Sequence, residues 1–243
     1  MTDRERILRL IRQGLGFRSR PSPVGERPKT SAIQGGPSIH GTGVPSQHPA
    51  RQFKREAELQ SVTVYEAADA TGAGRVLSQI LDRLSAERVV TWDDPVLERA
   101  DVKRVLLEKG IDDLTLHSED PAHPPDRYEH TARAARAEAG ITAADWALAD
   151  TGTLVLLSGP GRSRAASLLP PVHVALLPAS RILSDSGELL KRLPANPADA
   201  PALESSLTLI TGTSKTADIE LTLVRGVHGP GEVHVILISN DAA

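Results

Sequence analysis

A chain of 243 residues, 40% of them hydrophobic, can bury a sizeable core as one large domain or two small ones, and a net charge of −3 gives no overall attraction to nucleic acid or an anionic membrane. The absence of cysteine excludes disulfides, thiolate zinc sites, cysteine nucleophiles and iron–sulfur ligation by this chain. With only six aromatics, Phe17, Phe53, Tyr65, Trp92, Tyr128 and Trp146, the core must be Leu, Val, Ile and Ala, and base-stacking platforms are disfavoured.

Residues 1–16 read as a short helix with Ile7, Leu8, Leu10 and Ile11 on one side, and 17–50 as a Pro, Gly and Ser-rich arm or linker that contains His40 and His48. From Met1 to Arg55 eleven Lys or Arg stand against three acids, a surplus of eight, so the rest of the chain carries −11. That arm is either a solvated basic segment or a docking arm for an acidic partner. No apolar run approaches a membrane span, and charges stand where a signal peptide would be apolar, so a soluble cytoplasmic protein is expected.

The remainder, 51–243, reads as one α/β domain. A helix carries Phe53, Ala57 and Leu59, and a strand follows around Val62 to Tyr65. Val76, Leu77, Ile80, Leu81 and Leu84 repeat with helical spacing; Arg88–Trp92 is a strand, Val96–Glu108 a helix ended by Gly110, and Asp113–Leu116 a strand. This alternation predicts an open, mostly parallel sheet flanked by helices. His117, His123 and His130 have no common metal-ligand spacing, and no metal site is expected.

Tyr128–Ala139 is helical and ends at Gly140. Trp146–Ala149 and Thr153–Leu157 read as strands joined by Asp150-Thr151-Gly152, a connection short enough for an antiparallel pair, so the sheet is expected to be mixed. The following GPGRSR lacks the dinucleotide fingerprint, because Arg164 holds the third glycine position and Pro160 interrupts the turn. Val172–Leu177 is a strand, Ser180–Leu193 holds a short helical segment, and Pro194–Pro201 is a loop.

The C-terminal stretch LTLITGTSKTADIELTLVRGVHGPGEVHVILI has apolar strands at both ends and predicts a helix between them. Its N-cap hydroxyls are Thr213, Ser214 and Thr216, its first-turn acids Asp218 and Glu220, and its terminal glycine Gly226. The loop before that helix is expected at the carboxyl end of its strand, with free N–H groups facing a ligand.

TGTSKTADIELTLVRGVHGP resembles the C-terminal signature of the lactate utilisation protein C family, the LUD-domain proteins, whose usual wording is GPSRTADIE followed by GVHGP. This chain has Thr213 where proline is usual and Lys215 where arginine is usual, so a planar two-bond grip on an anion is replaced by a point charge. The acidic residue and TGT at Asp150–Thr153 match a second family motif. The resemblance implies the fold shared by ribose-5-phosphate isomerase and CoA transferases, a role in oxidising L-lactate to pyruvate, and iron–sulfur partner proteins. Any clusters would reside in those partners, with no cofactor in this chain.

Three polar groups stand at strand ends: Asp150 with Thr151, Gly152 and Thr153; Arg162 with Arg164; and Gly212, Ser214, Lys215, Thr216, Asp218 and Glu220 with His228. Converging, they would bind a small carboxylate or phosphate, with Asp150, His228 and Asp218 as candidate catalytic groups. Asp218 and Glu220 serve equally as helix-start charges, and His228 as a loop strut. His173 and His234, inside VHVALL and VHVILI, read as structural. Two functions stay open: a small-molecule-binding enzyme subunit, or a non-catalytic assembly or regulatory subunit of an iron–sulfur oxidoreductase.

Overall fold

The computed structural model describes residues 48–116, 127–193, 206–217 and 223–240. The expected N-terminal helix, nearly all of the arm, the Pro194–Pro201 loop, His117, His123, Asp218 and Glu220 lie outside them.

Helix α1 (Pro49–Leu59) carries proline in its first turn, where an N–H has no partner to lose, and buries Phe53 and Ala57 while Leu59 stays exposed. Strand β1 (Val62–Ala67) leads to α2 (Ala70–Leu84), capped by the Asp69 carboxylate accepting from the Gly72 N–H at 2.7 Å. After β2 (Arg88–Thr91) come α3 (Pro95–Arg99), α4 (Val102–Lys109) and β3 (Asp112–Asp113). The single helix expected over Val96–Glu108 is thus two, because Asp101 between them adopts a left-handed φ of 54°.

Helix α5 (Arg127–Ala134) precedes β4 (Ala139–Ala143), β5 (Trp146–Leu148) and β6 (Thr153–Ser158). Then follow α6 (Ala165–Leu168), β7 (Val172–Pro178), β8 (Ile182–Leu183), α7 (Ser186–Arg192), β9 (Ser206–Ile210), β10 (Lys215–Ala217), β11 (Leu223–Arg225) and β12 (Glu232–Ile238). Gly140, expected to end a helix, lies inside β4 instead. A Cβ there would sit 1.7 Å from the Ala166 carbonyl oxygen, so glycine is what lets α6 pack onto the strand.

Six strands form one sheet in the order β1-β12-β7-β4-β2-β3, and every neighbouring pair is parallel. Strands buried on both faces read as continuous apolar runs, and all seven residues of β7 are buried. Ile141, Val174, Leu176, Val235, Ile236 and Ile238 are fully enclosed, each contributing about 1.5–3 kcal/mol on burial.

The antiparallel pairing that the sequence predicts lies in a second sheet, ordered β8-β5-β6-β9. There β5/β6 and β6/β9 are antiparallel and β5/β8 parallel. The α/β class therefore holds, with mixed pairing confined to the smaller sheet. Loop length is the reason: four residues between β5 and β6 cannot make the crossover that a parallel pair requires.

The helix expected after Gly212 is instead a hairpin. Lys215 pairs with Arg225, Thr216 with Val224 and Ala217 with Leu223, and the Gly226 N–H donates to the Ser214 carbonyl at 3.1 Å to extend the ladder. The β-branched Thr216 and Val224 suit a pleated backbone better than a helix. Gly226, with φ of 79°, turns the chain out of this hairpin and ends no helix.

Candidate functional site

The C-terminal motif sits at the amino edge of the parallel sheet, opposite to the carboxyl edge that a strand–loop–helix unit would have given. Gly212 passes so close to α1's end that a Cβ would meet the Gln60 carbonyl oxygen at 2.5 Å, and its φ of 93° also requires glycine. Lys215 Nζ lies 3.4 Å from the same oxygen, just before β1. On the far side of the motif, the Gly231 N–H donates to Pro171 at 2.9 Å, just before β7. Both anchors are strand beginnings.

Ser214 organises this loop. Its N–H donates to the Pro230 carbonyl at 2.9 Å, and its Oγ accepts from the His228 N–H at 3.3 Å. The backbone of His228 thereby serves as a strut, and the residue is exposed. Lys215 is exposed as well. With β10 and β11 in place of the expected helix, the motif does not present a helix N-terminus to an anion through these residues. The loop offers hydroxyls and one lysine charge. Thr216 lies in β10, and Asp218 and Glu220 fall between β10 and β11.

The Asp150 turn joins the same edge through hydroxyls. Gly152, with φ of 65°, abuts the backbone of Ala57 in α1. Thr151 Oγ1 donates to Asp150 Oδ1 at 3.2 Å, Thr151 and Thr153 hydroxyls are 2.8 Å apart, and Thr153 and Thr211 hydroxyls 2.7 Å. A carboxylate only accepts and each hydroxyl has one proton, so the donations run Thr211 to Thr153 to Thr151 to Asp150. Thr211 Oγ1 is left with acceptor capacity alone. A ligand hydroxyl could donate to it, and a ligand carboxylate would find Lys215 four residues on.

Arg164 does not join this group. It is exposed at the start of α6, directly after Ser163, whose carbonyl accepts from Trp92 Nε1 at 2.8 Å just past the end of β2. That is the carboxyl edge, and a cluster missed from sequence lies there. Arg162 stacks 4.6 Å over the Trp92 ring, donates to both Asp145 oxygens at 2.7 and 2.8 Å, and approaches Asp94 at 3.6 Å. Asp94 also caps α3 through the Val96 N–H. One guanidinium facing two carboxylates has no charge left for an anion, so this cluster ties the second sheet to the strand ends. The acids after β2 were its visible signal, but nothing local paired them with Arg162.

The two strand histidines are buried, as expected. His173 Nε2 is 2.9 Å from Thr142 Oγ1, and His234 Nε2 lies 3.2 Å from Arg83 and 3.3 Å from Glu232; both Nδ1 atoms are buried without a hydrogen-bond partner. Burial, with the nearby His234 adding to it, pushes His173 down to about 4. Burial and the Arg83 charge lower His234 too, against the pull of Glu232. Both are neutral near pH 7.

A wholly parallel six-stranded sheet with a small second sheet defines the class of protein. A solved DUF162 family protein from Deinococcus radiodurans shares this fold, with a TM-score of 0.55 over 79% of this chain and 96% of that one at 20% identity. The chain matches the LUD domain over residues 50–238 and belongs to that family. It is 30% identical over 206 residues to lactate utilization protein C of Halalkalibacterium halodurans, covering 81% of this chain and 84% of that protein. With lactate utilization protein C of Bacillus subtilis it shares 34% identity over 172 residues, 71% of each chain.

Proposed function

We propose that this protein takes part in lactate utilisation as a cytoplasmic subunit that works with iron–sulfur partner proteins in oxidising L-lactate to pyruvate. The observation that carries the reading is the similarity to relatives named lactate utilization protein C across 81% and 71% of the chain. Loss of two electrons and two protons from lactate needs an acceptor. With no cysteine, this chain leaves thiolate-bound clusters to its partners. In this reading residues 51–243 form the LUD domain, preceded by a basic arm.

The ligand surface is the amino-edge group of Thr151, Thr153, Thr211, Ser214 and Lys215, with Asp150 and His228 beside it. It takes a small carboxylate or phosphate-bearing compound: Lys215 supplies charge, Ser214 a hydroxyl, and Thr211 an acceptor for a ligand hydroxyl. Among the described residues no helix is long and apolar enough to cross a membrane, which accords with a subunit outside the bilayer. A second reading, a non-catalytic assembly subunit, is favoured by one feature. The threonine hydroxyls bond to one another, and Lys215 rests on Gln60.

Calorimetric titration of the purified chain with L-lactate, pyruvate and inorganic phosphate tests the surface. Ser214→Ala with Lys215→Ala is expected to weaken binding by about 10-fold or more, the equivalent of one charge-assisted hydrogen bond. Unchanged affinity removes the site. In a system reconstituted with its partners, turnover lost in Asp150→Asn or His228→Gln with assembly intact supports catalysis, whereas full turnover supports the assembly reading.

A further inference from the structure

The edges of the sheets are unequally protected. Strands β3 and β8 have two residues each, and β1 carries Glu66 paired with Lys54. Strand β9 has five residues, Ser206-Leu207-Thr208-Leu209-Ile210, with neither a charge nor a proline, and it ends the order β8-β5-β6-β9. Among the described residues its backbone pairs only with β6. Natural edge strands are usually blunted by charge, proline, brevity or a covering segment. This one has none of these among the described residues.

Its side chains divide by face. Leu207 lies opposite Leu157 and Leu209 opposite Val155, and Val155 packs with Leu148, Leu183 and Leu189 of α7. Leucines 207 and 209 thus share the face that α7 covers farther along the sheet, yet they are 37% and 53% exposed. Ile210, on the other face, packs on the main core.

We propose that β9 pairs with β9 of a second copy of this chain, antiparallel about a twofold axis through Thr208, joining two four-stranded sheets into one of eight strands. The sequence is self-complementary in that register. Leu207 meets the partner's Leu209, Thr208 meets the partner's Thr208, and Ser206 meets the partner's Ile210. No like charges are opposed, and the leucines of both copies form one apolar row. An extended segment of another protein could bond the same backbone, but the leucine-to-leucine match favours a second copy. The proposal does not depend on the ligand or on lactate.

Sedimentation equilibrium of the full chain, with and without Leu209→Lys, is the test. The expected result is a dimer for the native chain and at least a 10-fold weaker dimer for the variant, whose exposed position tolerates the charge. A second variant guards against misfolding. The chain has no cysteine, so Thr208→Cys places one thiol per copy on the axis, within disulfide reach of its mate, and mild oxidation is expected to give a covalent dimer. A monomer at all concentrations overturns the proposal. So does a dimer that Leu209→Lys leaves intact and Thr208→Cys fails to cross-link.

Discussion

Thr153 and Thr211 stand 58 residues apart in sequence and share a hydroxyl contact of 2.7 Å. It ties the start of β6 to the residue after β9. Thr153 is 4% exposed, so its own hydroxyl cannot exchange this bond freely for water, whereas Thr211 is exposed. The contact is the first link of the donation chain that runs on through Thr151 to Asp150.

Thr153→Val keeps the shape and removes the link, leaving Thr151 and Thr211 without their shared partner. Because Thr211 is exposed and Thr151 half-buried, the expected loss is the net worth of ordinary hydrogen bonds, about 0.5–1.5 kcal/mol, read as a lower thermal midpoint. Thr153→Ser, which keeps the hydroxyl, should recover more than half of it. A valine variant as stable as the native protein would show that the threonines contribute nothing through this bond.

Acid should destabilise the protein through His173. Its folded pKa of about 4 lies below the ordinary 6.5, so the unfolded chain binds the proton more readily. The stability is complete above about pH 6.5 and falls as pH drops toward 4, on the order of 3 kcal/mol over that window at 1.36 kcal/mol per unit. His234, also lowered, acts in the same direction. Urea titrations between pH 7 and 4 should give a shallower slope for His173→Gln, which can still bond Thr142. An identical slope would assign the acid sensitivity elsewhere.

The Arg162 cluster should behave as a buried ion pair. Arg162 and Asp145 side chains are each 14% exposed and Asp94 6%. Arg162→Met strands two carboxylates and is expected to cost about 3–5 kcal/mol. Asp145→Asn should cost less, since Arg162 keeps Asp94. A double-mutant cycle of Arg162→Met and Asp145→Asn by denaturant unfolding should show strong coupling. Additive effects would mean the two side chains do not support each other.

Much of the fold was legible because buried parallel strands and their helices carry dense local signals. Val172–Leu177 and Val233–Ile238 are apolar runs too short for core helices, and both are central strands. The turn chemistry at Asp150-Thr151-Gly152 likewise announced an antiparallel pair. The hairpin of β10 and β11 is not legible locally, because hydroxyls followed by acids mimic a helix start. Its decisive contacts, Ser214 with Pro230 and Gly226 with Ser214, lie outside any helical window.

By itself the sequence determined the alternation of strands and helices, the LUD signature, and the lack of any thiolate chemistry. Those properties reside in residue types and in spacings of a few positions. Only the tertiary structure decided which edge of the sheet holds the Ser214 loop, that Arg164 stands apart from it, and that Arg162 is neutralised by Asp94 and Asp145. Lys215 meets Gln60 across 155 positions and Arg162 meets Asp145 across 17. Such meetings follow from how strands order and register in the sheets, a property of the packed whole that local hydrophobic periodicity does not encode.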